Sequence, residues 1–215
     1  MRQDSEPYIV PEGYPFIGLA AWCAVLCGIL QWKAGAVAFW VLTVGIAAFF
    51  RNPARRTPED DNALVSPADG RVLGVDKLQA SDFIAGPTWK ISIFMSVFNV
   101  HVNRVPVSGT VAWKRSRQGR FLVASRREAS SQNERVEVCI RARPDTPVGV
   151  VQVAGWVARR IVCYPEKGDV VVRGARLGMI RFGSRLEVYV PEAARVVVRP
   201  GETVRAGETI IGYLP

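Results

Sequence analysis

Histidine is almost absent from this chain. One occurs in 215 residues, with four cysteines, and the two scarcities together remove most metal and redox chemistry. Cys23 and Cys27 fall inside an apolar stretch, while Cys139 and Cys163 stand singly among strand-like residues. No His/Cys grouping has the pattern of a zinc or dithiol motif, so no metal is expected and the cysteines read as core residues of a reducing compartment. A phosphate-cradling glycine motif is also lacking. Acidic residues are outnumbered, 19 Asp+Glu against 28 Lys+Arg, which leaves a net charge of +9 and points to an anionic partner.

The charge is uneven. Residues 1–50 hold Arg2 and Lys33 against Asp4, Glu6 and Glu12, a net of −1, so the remainder carries +10. Phe16 to Leu30 and Ala34 to Phe50 are uncharged apolar runs separated by Gln31-Trp32-Lys33. Each is close to the roughly 17–25 residues that cross a bilayer as a helix. Tyr14, Trp32 and Trp40 suit interfacial anchors, and Arg51, Arg55 and Arg56 follow as the positive-inside rule expects. A membrane-inserted helical hairpin over residues 1–50 with both termini cytoplasmic is the economical reading, and a hairpin buried in a soluble protein is its alternative. The acidic start, with no small-residue site after the first run, does not suit a secretory signal. The expected location is the cytoplasmic face of the cell membrane.

Residues 51–62, with Pro53 and Pro58, read as a linker. Beyond it no amphipathic helix is evident. Short Val- and Ile-rich runs recur instead: Ala63–Ser66, Arg71–Val75, Lys90–Met95, Thr110–Trp113, Val136–Ala142, Val148–Ala154, Arg159–Tyr164, Val170–Arg173, Leu177–Phe182, Leu186–Val190, Arg195–Arg199 and Thr209–Tyr213. Punctuated by Gly and Pro, they predict a mainly β domain over 63–215, of barrel-sandwich or β-barrel type. Gly168-Asp169-Val170-Val171-Val172-Arg173-Gly174 is echoed 33 residues later by Gly201-Glu202-Thr203-Val204-Arg205-Ala206-Gly207. The fixed glycine offsets suit turns with positive φ, each leading into a strand. The pattern resembles the half-motifs of lipoyl- and biotinyl-like domains, without the exposed lysine between halves that those domains modify.

Between the two halves lies Gly183-Ser184, the one Gly-Ser pair in the chain. A serine hydroxyl at such a point is able to attack the preceding carbonyl, convert the amide to an ester and leave by β-elimination, so that a pyruvoyl group caps a new chain. The pair is also ordinary turn sequence, and three further segments are what single it out. They are Ser66-Pro67-Ala68-Asp69-Gly70-Arg71-Val72, then Phe98-Asn99-Val100-His101-Val102-Asn103-Arg104-Val105-Pro106-Val107-Ser108-Gly109, then Asn133-Glu134-Arg135. With Arg181-Phe182-Gly183-Ser184-Arg185, in this order behind an apolar amino-terminal segment, the chain resembles the short prokaryotic form of phosphatidylserine decarboxylase over nearly its whole length.

The resemblance implies a proenzyme that cuts itself between Gly183 and Ser184. The products would be a large β fragment, 1–183, and a small α fragment, 184–215, which stay together non-covalently. It implies a pyruvoyl cofactor derived from Ser184, which forms a Schiff base with phosphatidylserine, releases carbon dioxide and yields phosphatidylethanolamine. An anionic membrane surface is the further partner. His101 is then assigned acid/base work, as the one side chain whose unperturbed pKa lies near neutrality, although a lone histidine also suits a structural place. Asp69 matches the family aspartate linked to self-cleavage, and Ala-Asp-Gly is equally a common turn. Longer relatives carry a second histidine where this chain has Arg104, which leaves the base for self-cleavage open. Lys114 to Arg127, rich in Arg around Gly119, reads either as a loop for lipid phosphate or as a solvated basic face. With Phe121 its one aromatic, it offers little to stack bases, and nucleic acid is not expected. The competing class is a non-enzymatic, membrane-anchored barrel-sandwich adaptor.

Overall fold

Apolar side chains run unbroken on both sides of Gln31, and in the computed structural model each run forms a helix: α1 (Tyr14–Ile29) and α2 (Lys33–Phe49). The structure describes residues 7–125, 128–142, 145–156, 160–181 and 184–215, and it divides into two compact units, Met1–Ala54 and Arg55–Pro215. In the first unit Pro15 sits in the opening turn of α1, where a missing N–H costs nothing. The helix stops in a Schellman turn: Trp32 N–H donates to Cys27 O (2.9 Å) and Gln31 N–H to Gly28 O (3.0 Å), with Gln31 at φ 58°. Leu19, Trp22, Ile29, Val37, Val41 and Val44 are each more than 60% exposed, so the pair shows apolar side chains outward. Pro11–Ile29, with mean hydropathy 1.4, is long and apolar enough to cross a membrane, whereas α2 has 17 residues.

The second unit is built from β1 (Ala63–Val65), β2 (Gly70–Leu78), β3 (Thr88–Met95), β4 (Val102–Arg104), β5 (Gly109–Arg117), β6 (Arg135–Ala142), β7 (Thr146–Val153), β8 (Ile161–Cys163), β9 (Val170–Val171), β10 (Arg176–Ile180), β11 (Ser184–Pro191), β12 (Arg195–Val196), β13 (Thr203–Val204) and β14 (Ile210–Tyr213). A short helix, α3 (Ala129–Gln132), interrupts the run between β5 and β6. The mainly β character and the apolar helix pair are as the sequence predicts. Each predicted run overlaps an observed strand, and β4, β13 and α3 are additions.

Eight strands make one curled antiparallel sheet in the order β13-β2-β3-β11-β7-β6-β5-β9. Two small sheets, β4-β10-β8 and β1-β14-β12, complete the unit. Alternation along β11 sends Leu186, Val188 and Val190 into the core with Ile91 and Ile93 of β3 and Val148 and Val150 of β7. Burying each such side chain contributes about 1.5–3 kcal/mol. The two echoed segments occupy matching places. Their strands β9 and β13 are the outermost of the large sheet, and β10 and β14, which follow them, are the central strands of the small sheets. Their glycines share backbone angles, φ 94° and 95° at Gly168 and Gly201, 80° and 75° at Gly174 and Gly207. Those angles are what the glycine spacing in the sequence encodes.

Aromatic rings cover the sheet's outer face. Phe83 stacks on Trp113 (5.1 Å between centroids) and leans on Tyr189 (4.9 Å), filling the space above Gly149, where an added Cβ would lie 2.4 Å from the ring. Gly149→Val must therefore displace Phe83, at a cost of about 1–3 kcal/mol. Gly74→Ala, whose nearest neighbour is Asp76 Oδ2 at 3.4 Å, is close to neutral. Thermal unfolding of both variants in detergent checks the pair; equal midpoints would refute this account of the aromatic cover.

Candidate active site

Ser184 begins β11, and β11 lies in the middle of the large sheet. It pairs with β3 through its whole length, Ser184 opposite Met95 and Pro191 opposite Thr88, and with β7 from Arg185, opposite Val153, to Tyr189. Ser184 has the same parity as Leu186 and Val188, so its side chain points inward. The residue is fully buried, and its Oγ has no hydrogen-bond partner among the described residues. An unpartnered buried hydroxyl costs about 1–3 kcal/mol, which makes this atom conspicuous. Gly183, the other half of the expected cleavage site, lies outside the described residues, as does Phe182. The chain reaches Ser184 from β10, which belongs to a different sheet.

His101 stands where β3 hands over to β4. A turn built by Asn99, whose Oδ1 accepts from Ser96 N–H (2.9 Å) and from Ser96 Oγ–H (2.8 Å), leads into it. The histidine is fully buried, with Nδ1 2.9 Å from the Asn99 carbonyl. A carbonyl only accepts, so Nδ1 carries the hydrogen and Nε2 holds the lone pair of the neutral ring. In the next positions Val102 lies opposite Met179 of β10 and Asn103 opposite Gly178. His101 is thereby brought to the end of β10 from which the chain runs on to Ser184.

Buried amides fill in this end of the sheet. Gln152, on the core side of β7 opposite Leu186, donates through Nε2 to Asn103 Oδ1 (2.8 Å) and to the Val162 carbonyl (3.3 Å). The carbonyl fixes the orientation of the amide and leaves Gln152 Oε1 without a partner among the described residues. Asn103 Nδ2 in turn approaches Met95 Sδ at 3.5 Å, on the residue paired with Ser184. Asn133 binds the Leu122 backbone in both directions, 2.9 and 2.8 Å, and donates to the Ala154 carbonyl (2.7 Å), which ties the segment after β5 to the end of β7. Sequence reasoning assigned no role to Gln152 or Asn103. The trace that could have found Gln152 is a lone amide inside Val148–Ala154.

Asp69 is at the same end. It precedes Gly70, which packs against the Phe94 carbonyl of β3, two strands from β11 and so roughly 10 Å away. Both of its carboxylate oxygens are engaged, Oδ2 by Arg55 (2.8 Å) and Oδ1 by the Ala206 N–H (2.7 Å). Arg104 is buried and donates from Nη1 to Gly174 O (2.8 Å), at the turn of the first glycine repeat. The basic run after Lys114 is largely paired within the unit. Lys114 meets Glu166 (2.6 Å) and the Cys163 carbonyl (2.9 Å), and Arg117 meets Asp82 (2.6 Å) and Glu137 (3.0 Å); Arg126 and Arg127 lie outside the described residues. Burial pushes the Cys163 thiol up to about 11, with Lys114 opposing and Glu166 adding to the shift, so it is no thiolate at neutral pH. Among the described residues no cluster of three or more His, Cys, Asp or Glu could hold a metal. One concavity of about 430 Å³ is lined by Val107, Ser108, Ala142 and Arg173 at the other end of the sheet and contains none of the candidate residues.

A family model described as phosphatidylserine decarboxylase matches residues 43–212. Proteins named phosphatidylserine decarboxylase proenzyme from Geotalea uraniireducens, Geobacter sulfurreducens and Syntrophotalea carbinolica are 48%, 46% and 44% identical to this chain. In each case the match covers 100% of this chain and 100% of the relative.

Gln152→Leu, which removes the amide but keeps the bulk, leaves Asn103 Oδ1 buried without its donor. A loss of about 1–3 kcal/mol of stability is expected, read as a lowered unfolding midpoint. An unchanged midpoint would show that the amide pair carries no such weight.

Proposed function

The chain belongs to the phosphatidylserine decarboxylase family, and from that premise we propose that it is a self-cleaving proenzyme whose Ser184 becomes the reactive group. The observation that carries the reading is Ser184 itself: buried, its hydroxyl without a partner among the described residues, at the first position of a central strand and at the end of the sheet that gathers His101. The names of the relatives favour the decarboxylase over the membrane adaptor.

Self-cleavage uses groups of the chain and one water. Ser184 Oγ attacks the carbonyl carbon of Gly183, its proton passes through a base to the departing Ser184 nitrogen, and the C–N bond breaks as the ester forms. Loss of the Ser184 Cα proton then expels the Gly183 carboxylate. The dehydroalanine left behind takes up water and releases ammonia, so that residue 184 ends as a pyruvoyl group. That group supplies an electrophilic carbonyl for the amine of phosphatidylserine and a sink for the electron pair released with carbon dioxide. A buried serine whose hydroxyl has no described competing partner suits this conversion. His101, holding its lone pair on Nε2 while Nδ1–H is tied to Asn99, is suited to carry the proton returned to the substrate carbon. Asp69 holds the Ser184 end of the sheet by joining Arg55 to the turn at Ala206, and we assign it to self-cleavage through that support.

After cleavage the fragments have strong reason to stay together. Residues 184–215 contain β11 and β13, so removing them would split the large sheet between β3 and β7 and strip an edge strand from β2. The apolar helix pair and the +10 charge of residues 51–215 suit a protein held at the anionic cytoplasmic face of a membrane, where each nearby Lys or Arg adds about 1 kcal/mol of attraction.

Denaturing mass analysis should find fragments 1–183 and 184–215, the smaller lacking a free amine and reactive to borohydride. Ser184→Ala should remain a single chain and release no carbon dioxide from phosphatidylserine. An active, uncut chain would sink the proposal. His101→Gln, assayed on the cleaved fraction, should lower kcat by about 10²–10⁴-fold. Asp69→Asn should slow conversion to fragments while the fragments that do form keep the parent kcat.

A further inference from the structure

We propose that the rim of the large sheet at its Ser184 end is a shallow docking surface for an anionic bilayer. The strand register fixes which connections form that rim. β3, β5 and β7 end there, and β6 and β11 begin there, because Ser184 faces Met95 while Arg185 and Arg135 both face Val153, and Arg117 faces Arg135. The described residues that leave these strand ends, 96–101, 118–125, 128–134, 154–156 and 181, therefore emerge together at the end of the sheet that holds Ser184 and His101.

Their tips are apolar and exposed. Phe98 is 85% exposed, Trp156 71%, Val97 47% and Val123 44%. The first of these turns is built to present its tip, since Asn99 Oδ1 accepts from both Ser96 N–H and Ser96 Oγ–H and holds Val97 and Phe98 at the apex. Tryptophan and phenylalanine on firm turns, beside water-facing cations, are what an interfacial layer accepts: an apolar body below the headgroups and charge among them. The charge is of the right sign. Segments 96–101, 118–134, 154–160 and 181–183 contain six arginines, Arg120, Arg126, Arg127, Arg159, Arg160 and Arg181, against two acids, Glu128 and Glu134. Arg120 and Arg160, among the described residues, are exposed.

The opposite end of the same sheet serves as a comparison. Its connections, 79–87, 105–108, 143–145 and 192–194, include Asp82, Asp145 and Glu192, and the aromatic there, Phe83, is folded back over Gly149. A generally basic protein would not concentrate both exposed aromatics and an excess of arginine over acid at one end. Nor are these the cations of β5, for Lys114 and Arg117 are paired on the sheet itself. The surface fits an acidic leaflet, and it sets His101 three residues along the chain from an inserted Phe98. That the docked headgroup is then decarboxylated rests on the function proposed above; the docking does not.

The test uses the full chain in nanodiscs of phosphatidylcholine and phosphatidylglycerol, with its six tryptophans replaced by 5-fluorotryptophan and the Trp156 resonance assigned through Trp156→Phe. A headgroup-nitroxide lipid should broaden Trp156 while leaving Trp89 and Trp113 sharp. A Trp156 line as sharp as that of Trp113 overturns the proposal. In parallel, Phe98→Ser/Trp156→Ser should lower turnover of bilayer phosphatidylserine by about tenfold or more, equivalent to about 1.4 kcal/mol, and leave turnover of monomeric dihexanoyl-phosphatidylserine within about twofold. An equal loss on both substrates, or no loss on either, also overturns it. If the unmodified chain turns over neither lipid, the decarboxylase reading fails and the line broadening still decides the docking.

Discussion

A central strand that must start at one particular residue governs this structure. β11 is hydrogen-bonded on both edges, so nothing can shift along it without breaking the pairing with β3 and β7 together, and a shift of one residue would turn Leu186 and Val188 out of the core. That double restraint is what holds Ser184 inward. The register also decides what surrounds it, for Met95 on one side is tied through Asn103 to Gln152 on the other. His101 arrives by a separate route, through the small sheet in which β4 lies against β10. The bond between residues 183 and 184 thus joins two sheets whose positions are each fixed by their own ladders. Cutting it removes a covalent link and no ladder.

The outer face of the same strand shows how a buried charge is made tolerable. Glu187 is almost fully buried, yet it accepts from Tyr189 (2.9 Å) and Ser130 and lies 3.1 Å from Lys90. Burial, and then the neighbouring Glu187 carboxylate, push the Tyr189 phenol well above its ordinary range, so it stays a donor at any physiological pH. Removing one member would leave the others desolvated and unpaired, which is why such a group behaves as a unit. Its partners come from β3, α3 and β11, so the charge network fastens the strand that begins at Ser184 from the face opposite the candidate site.

Much of this was legible in the residues. Val- and Ile-rich runs located the strands because burial on a sheet leaves a local trace, and the Gly168 and Gly201 echoes were legible because a positive φ is written almost solely in glycine. What the echo could not say is that its two copies would form the two edges of one sheet, since edge position depends on pairing between distant residues. β4 escaped notice because three residues of mixed polarity leave no periodicity, and Gln152 because its partner is 49 positions away. The arginines and lysine of β5 misled in the opposite sense. A run of positive charge looks the same in sequence whether it meets lipid phosphate or, as at Lys114 and Arg117, the carboxylates of Glu166, Asp82 and Glu137.

The distinction between paired and rim cations bears on how a lipid enzyme of this size could work. A domain that buries Ser184 completely gives water little access to it, yet on the proposed function a phospholipid headgroup must still reach it. Placing the site at the end of a sheet rather than in a cleft between domains answers both needs, because strand ends are where backbone pairing stops and connections are free to differ. The pairing that immobilises β11 ends at Ser184 itself, so the residue proposed as reactive is the first of its strand at the rim. The described connections at that end are apolar at their tips, with Phe98 and Trp156 exposed. On the function and the docking proposed above, a site at that boundary would take its geometry from the sheet and its access from the connections, and its substrate would stay at the surface of the bilayer.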